Sequence, residues 1–138
     1  MFSYLIGYVG YVMKNTKPLV FSCSGCSHLA TMANDIALTL DNDKIAEMSC
    51  ISWLIAASEE QIKEKILDRK VILIEGCEES CSSSCLSRVK VYVDVYINLA
   101  NLGFSPRSAN NCSLKEDSIA MNYVYEQLKI NNIDINLY

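Results

Sequence analysis

Several things are scarce or missing in this chain, and each absence excludes a class of function. There is no basic surplus: Lys and Arg number 12 against 16 Asp and Glu, the formal net charge is −4, and no Lys/Arg run gathers locally. A nucleic-acid footprint is therefore not expected. There is no basic n-region and no small-residue cleavage site of the kind that marks a secretory leader. The one long apolar opening, "MFSYLIGYVGYVM" over residues 1–13, is too short for a bilayer span, which takes about 20 residues. Lys14 and Lys17 follow it. It reads as an apolar N-terminal extension, either packed or in peripheral contact, or else Met13 is the natural start.

Neither G-x-G-x-x-G nor the P-loop pattern occurs, and no Arg follows "CSGCSHLA" to hold a phosphate as in cysteine phosphatases. Histidine is nearly absent. His28 is the single one, so a Cys–His nucleophile pair would rest on it alone, beside a crowd of thiols. It reads as a capping or surface residue of a first helical turn in preference to a metal ligand, because thiols already outnumber the ligands zinc needs. No repeat, linker or low-complexity tract divides the chain, so residues 14–138 form one expected domain. Apolar residues make up 51% and charged residues 20%, the balance of a globular chain rather than a disordered one.

Cysteine is what the sequence does have. There are seven, and all but Cys112 fall in three short segments, "FSCSGCSH", "EMSCIS" and "IEGCEESCSSSC". An odd number in tight clusters beside Gly and Ser is neither a disulfide framework nor ordinary core filling. The expected compartment is reducing, that is, cytoplasmic. Cys112 reads as an ordinary free thiol.

The elements alternate. "PLVFSC" (18–23) reads as a buried strand. Ser27 N-caps a helix whose stripe is Leu29, Met32, Ile36, Ala37 and Leu40, with Asp35 on the solvated side, ending near "DND" (41–43). "KIAEMSC" (44–50) reads as a second strand, with Glu47 solvated. "ISWLIAA" is a covering loop or a helix start, with Trp53 in core or lid packing. Ser58 and Gln61 form a capping-box pattern opening a helix to about Asp68. "KVILIE" (70–75) is a strand buried on both faces, and Glu75 at its end is placed to orient a loop N–H. "VKVYVDVYI" (89–97) alternates as a half-exposed strand. "NLGFSPRSANN" (101–111) reads as a loop. "SLKE" (113–116) opens a helix to about Ile130, and the tail from 131 is an edge strand or frayed. The order β-α-β-α-β-α-β-α implies a small, doubly wound, Rossmann-like α/β sheet of about four mostly parallel strands with helices on both faces.

That order gathers the thiols. Cys23, Cys50 and Cys77 each end a strand, so their loops share the carboxyl edge of the sheet. C-x-x-C spacing holds Cys26 beside Cys23. Cys81 and Cys85 follow Cys77 at helical spacing, which would line all three on one face. Loops opening into helices favour thiolate, the form that binds metal. Six thiolates on one Zn²⁺ would leave a local charge of −4, and a tetrahedral zinc takes about four ligands. Either some cysteines are spare, or the site holds a zinc pair or an iron–sulfur cluster. The serine-rich "EESCSSSC" is a poor helix by itself, so its order is expected to be coupled to metal.

"CSGCS" before "LATMANDIALTLD", then "AEMSCI", then "EGCEESCSSSCL", and more loosely "INLANLGFSP", resemble the DGC-domain family. The resemblance covers about Pro18 to Leu86. It implies a small cytoplasmic domain that chelates zinc through its cysteines, without an assigned activity. Cys23, Cys26, Cys50, Cys77, Cys81 and Cys85 fall on family cysteine positions. At the namesake motif this chain has Glu75-Gly76-Cys77, where the family usually has Asp. The carboxylate is kept but reaches one methylene further.

The expected function is zinc binding in a cysteine cluster, with a structural, sensing or metal-transfer role. The expected ligands are Cys23, Cys26, Cys77 and Cys81, with Cys50 and Cys85 as alternates. A thiol-redox or iron–sulfur protein using the same cysteines is the competing reading. A third is an interaction module with structural zinc and "SWLIAA" as its contact. The expected partner is a metal ion, and no residue set outside the thiols suggests a reaction.

Overall fold

The computed structural model describes residues 16–23, 25, 27–104 and 114–135. The N-terminal extension, Cys26 and Cys112 lie outside these residues. Four strands form one parallel sheet: β1 (Leu19–Ser22), β2 (Glu47–Met48), β3 (Val71–Glu75) and β4 (Val95–Asn98), in the order β2-β1-β3-β4. The helices are α1 (His28–Asn42), α2 (Ile51–Ala56), α3 (Glu59–Ile66), α4 (Cys81–Arg88) and α5 (Leu114–Ile130), with a 3₁₀ turn at Leu99–Leu102.

The sheet is covered on both sides because the two central strands are apolar at every position but their last. Alternate residues go to opposite faces. Val20, Ile72 and Ile74 meet Leu29, Met32, Ile36 and Leu40 of α1 and Ala120, Val124 and Leu128 of α5. Leu19, Phe21, Val71 and Leu73 meet Leu54 of α2, Ile62 of α3 and Leu86 of α4. This is the doubly wound arrangement, and its direction reverses between β1 and β3.

Local signals explain the helix starts. Ser27 Oγ accepts the Ala30 N–H at 3.2 Å. Ser58 and Gln61 make the reciprocal capping box, at 3.2 and 2.9 Å. The ends of α1, α4 and α5 share one device. In each, a left-handed residue (Lys44, φ 61°; Lys90, φ 59°; Asn132, φ 59°) reverses the chain. The next N–H then reaches a leucine carbonyl in the last turn: Ile45 to Leu40, Val91 to Leu86 and Ile133 to Leu128, each at 2.9 Å. The two apolar side chains at each end are both buried. This is the Schellman ending, built on L-x-x-x-x-[I/V] without glycine.

Two expected elements differ, and one left open is narrowed. Residues 89–97 are not one strand; only Val95–Asn98 pairs with β3, while Val89, Lys90 and Val91 form the end of α4. The second strand shrinks to Glu47–Met48, because Ile45 and Ala46 belong to the turn packed against Leu40. Residues 131–135 form no strand. "ISWLIAA" resolves as α2, with Leu54 buried and Trp53 under the Lys65 ammonium at 4.2 Å. Glu47 is not simply solvated: its Oε2 accepts from Arg69 Nη2 at 2.6 Å.

Candidate metal centre

The reversal point between β1 and β3 is where ligands bind in open parallel sheets, and two thiols emerge there. Cys23 follows β1 directly. Its N–H continues the ladder to Ile74 O at 3.1 Å, and its residue surface is 2% exposed. Cys77 follows β3 after a single glycine. Cys81 opens α4 and is exposed. The three sulfurs lie within 4.8 Å of one another.

The sequence Glu75-Gly76-Cys77 performs three separate tasks. Glu75 is fully buried. Its Oε1 accepts the Ser83 N–H at 2.8 Å, and its Oε2 accepts the Tyr96 hydroxyl at 2.6 Å. Ser83 is in the first turn of α4, so a strand residue supplies the helix cap. The local cap position, Ser80, is left-handed (φ 51°, ψ 40°) and makes no side-chain capping bond. Gly76 packs against the start of α1. A Cβ there would lie 2.3 Å from the Leu29 carbonyl carbon and oxygen. Cys77 then carries its sulfur to the cluster, while its carbonyl accepts from Asn98 Nδ2 at 2.9 Å.

The electrostatics suit a cation. Burial, followed by the neighbouring thiols of Cys23 and Cys77, holds the Cys81 thiol above its ordinary value of 9.0. Three thiolates this close repel, so ionising them together needs a positive charge between them. α1 and α4 begin at this edge, with the positive ends of their dipoles toward it. Glu78 and Glu79 are exposed beside Cys77. Three soft sulfur donors fit zinc or an iron–sulfur cluster better than a hard cation.

The other cysteines are placed differently. Cys50 is exposed and N-caps α2, its Sγ accepting the Trp53 N–H at 3.4 Å. It borders an open cleft with Asp41, Met48, Trp53 and Lys65. Cys85 is half-buried one turn along α4, outside the close trio. Cys77 precedes α4 instead of opening it, so helical spacing relates only Cys81 to Cys85. The five described cysteines are free thiols. His28 is not a surface residue. It is fully buried, with Nε2 3.7 Å from Glu116 Oε2 of α5, and it stands outside the thiol group.

Two residues that support the centre, Tyr96 and Asn98, are not among the expected site residues, although Asn98 falls within the loosely matching "INLANLGFSP". Only the strand register, which sets Asn98 opposite Glu75, brings them to the site.

The model of the DGC domain matches residues 19–124. The chain belongs to the DGC domain family. A curated relative, the anaerobic and virulence modulator AnvM of Pseudomonas aeruginosa, is 42% identical over 60 residues, covering 44% of this chain and 46% of that protein. The match thus spans less than half of the relative's length. No solved structure matches. Within the DGC domain, the expected Asp is Glu75 here. Its added methylene accompanies a side chain that bridges α4 and β4 at once.

Proposed function

We propose that this protein binds zinc through Cys23, Cys77 and Cys81 in a reducing, cytoplasmic setting, and that the metal is sensed or passed on rather than buried as a staple. The observation that carries this is the convergence of three sulfurs within 4.8 Å, delivered by two strand ends and a helix start. A fourth ligand completes a tetrahedral site. Cys26 is the first choice from its spacing, with Cys50 and Cys85 as alternates. Two features favour exchange over a structural role. None of the three thiols is a member of either apolar core cluster, and burial falls from Cys23 through Cys77 to Cys81, leaving one side of the cluster open. The relative's name, a modulator, agrees with a sensing or transfer role.

The test is anaerobic purification followed by metal analysis and visible absorption. A colourless protein with stoichiometric zinc, lost in Cys77→Ser, is the expected result. A brown protein with iron and inorganic sulfide would establish the iron–sulfur reading instead. A metal-free protein with disulfides among these cysteines would establish thiol redox chemistry. Unchanged zinc stoichiometry in Cys77→Ser refutes the site.

A further inference from the structure

We propose that Tyr96 and Asn98, at the end of β4, are positioning residues that set how tightly the thiol centre holds its metal; the inference rests on the metal reading above. Tyr96 has one hydroxyl proton, and it goes to Glu75 Oε2 at 2.6 Å. Its oxygen is then left to accept, from Ser80 Oγ at 3.0 Å and from Asn98 Nδ2 at 3.3 Å. Ser80 immediately precedes Cys81 and holds a left-handed backbone that a non-glycine residue adopts only under constraint. Tyr96 therefore fixes both supports of Cys81: the turn before it, through Ser80, and the helix it opens, through Glu75 and the Ser83 N–H.

Asn98 acts on the other ligand. Its Nδ2 donates to the Cys77 carbonyl at 2.9 Å, while its Oδ1 accepts the Ala100 N–H at 3.0 Å. One edge strand thus orients two of the three converging thiols without contributing a ligand. Outer groups that orient metal ligands in this way typically change affinity by about 10- to 100-fold when removed.

The test compares Zn²⁺ affinity, by chelator competition, and the Co²⁺ absorption spectrum for wild type, Tyr96→Phe and Asn98→Asp. The aspartate keeps the acceptor for Ala100 N–H but cannot donate to Cys77 O, so it separates the turn cap from the contact to the ligand. Ile133→Val, at the far end of the core, serves as a control for plain destabilisation. The expected result is a roughly 10- to 100-fold affinity loss and shifted Co²⁺ bands in both β4 variants, with unchanged stoichiometry, and neither change in Ile133→Val. Glu75→Gln, which can still accept from Ser83 N–H and hydrogen-bond Tyr96, should lose less than Tyr96→Phe. Wild-type affinity and spectrum in both β4 variants would overturn the inference while leaving the metal centre intact. So would a loss matched by Ile133→Val without a spectral change. A wild type that binds no metal would instead defeat the metal reading itself.

Discussion

Replacing Gly76 by alanine probes fold and site with one methyl group. The added Cβ would lie 2.3 Å from the Leu29 carbonyl atoms and 2.5 Å from Ala30 N, where ordinary contact begins at 3.4 Å. The obstacles are backbone atoms of a helical first turn, so no side chain can swing aside. The β3–α4 connection and α1 must separate by about 1 Å. Overpacking of this kind costs about 1–3 kcal/mol, and more where backbone must move. The opposing gain from a less flexible unfolded chain is only about 0.4–1 kcal/mol, so destabilisation wins. With a urea slope of roughly 1–3 kcal/mol per molar, a loss of about 3 kcal/mol lowers the unfolding midpoint by about 1–3 M. The same displacement carries Cys77 away from Cys23, and metal–ligand distances tolerate only about 0.2 Å. Zinc affinity should therefore fall by at least about tenfold. Urea denaturation and chelator competition measure the two effects. A Gly76→Ala protein with wild-type midpoint and affinity would refute the close approach.

Three further outcomes are expected. Lys90→Gly relieves the left-handed end of α4, where a side chain costs about 1–2 kcal/mol, against about 0.5–1 kcal/mol for glycine's extra unfolded freedom; the thermal midpoint should rise by a few degrees, and a fall would contradict the Schellman geometry. Ser58→Ala removes the cap of α3 and should cost about 1 kcal/mol in urea unfolding, leaving metal stoichiometry unchanged. Because the Cys81 thiol is held above 9.0 by burial and its neighbours, the unfolded chain ionises first as pH rises past that value. Metal-free, reduced protein should then lose stability with rising pH. The loss should shrink in Cys81→Ser and vanish on zinc loading; a wild-type midpoint that rises through this range would reverse the sign.

The fold was legible wherever one periodicity ran uninterrupted. "VILI" could only be a strand buried on both faces, and the stripe from Leu29 to Leu40 could only be a helix against it. The alternation over 89–97 misled because a Schellman ending also sets apolar residues two apart. Val89 and Val91 flank a left-handed Lys90, and the pattern runs on into the true strand at Val95. The meeting of Cys23 and Cys77 was legible because both follow strands that pair side by side, whereas Cys50, expected with them, stands apart as a helix cap. The finer geometry was not. That Cys77 stands before α4 depends on Ser80 adopting a backbone no residue pattern requires. Tyr96 and Asn98 reach the site through strand register, which a single sequence does not reveal.

The outermost strands offer little to a neighbour. β2 contributes two residues, one of them Glu47, locked to Arg69, and β4 only four. A long, flat rim of unpaired amides is the template on which sheets of separate molecules zip together, and among the described residues neither edge strand supplies one. Among the described residues, the apolar strand-forming segments "LVF" and "VILI" are the two interior strands, covered on both faces by helices. Loss of metal or a local loosening of α4 therefore leaves the adhesive parts covered. On the metal reading proposed above, an empty form would not precipitate by strand exchange. Turbidity of the demetallated, reduced protein should stay low until the temperature at which the whole sheet melts.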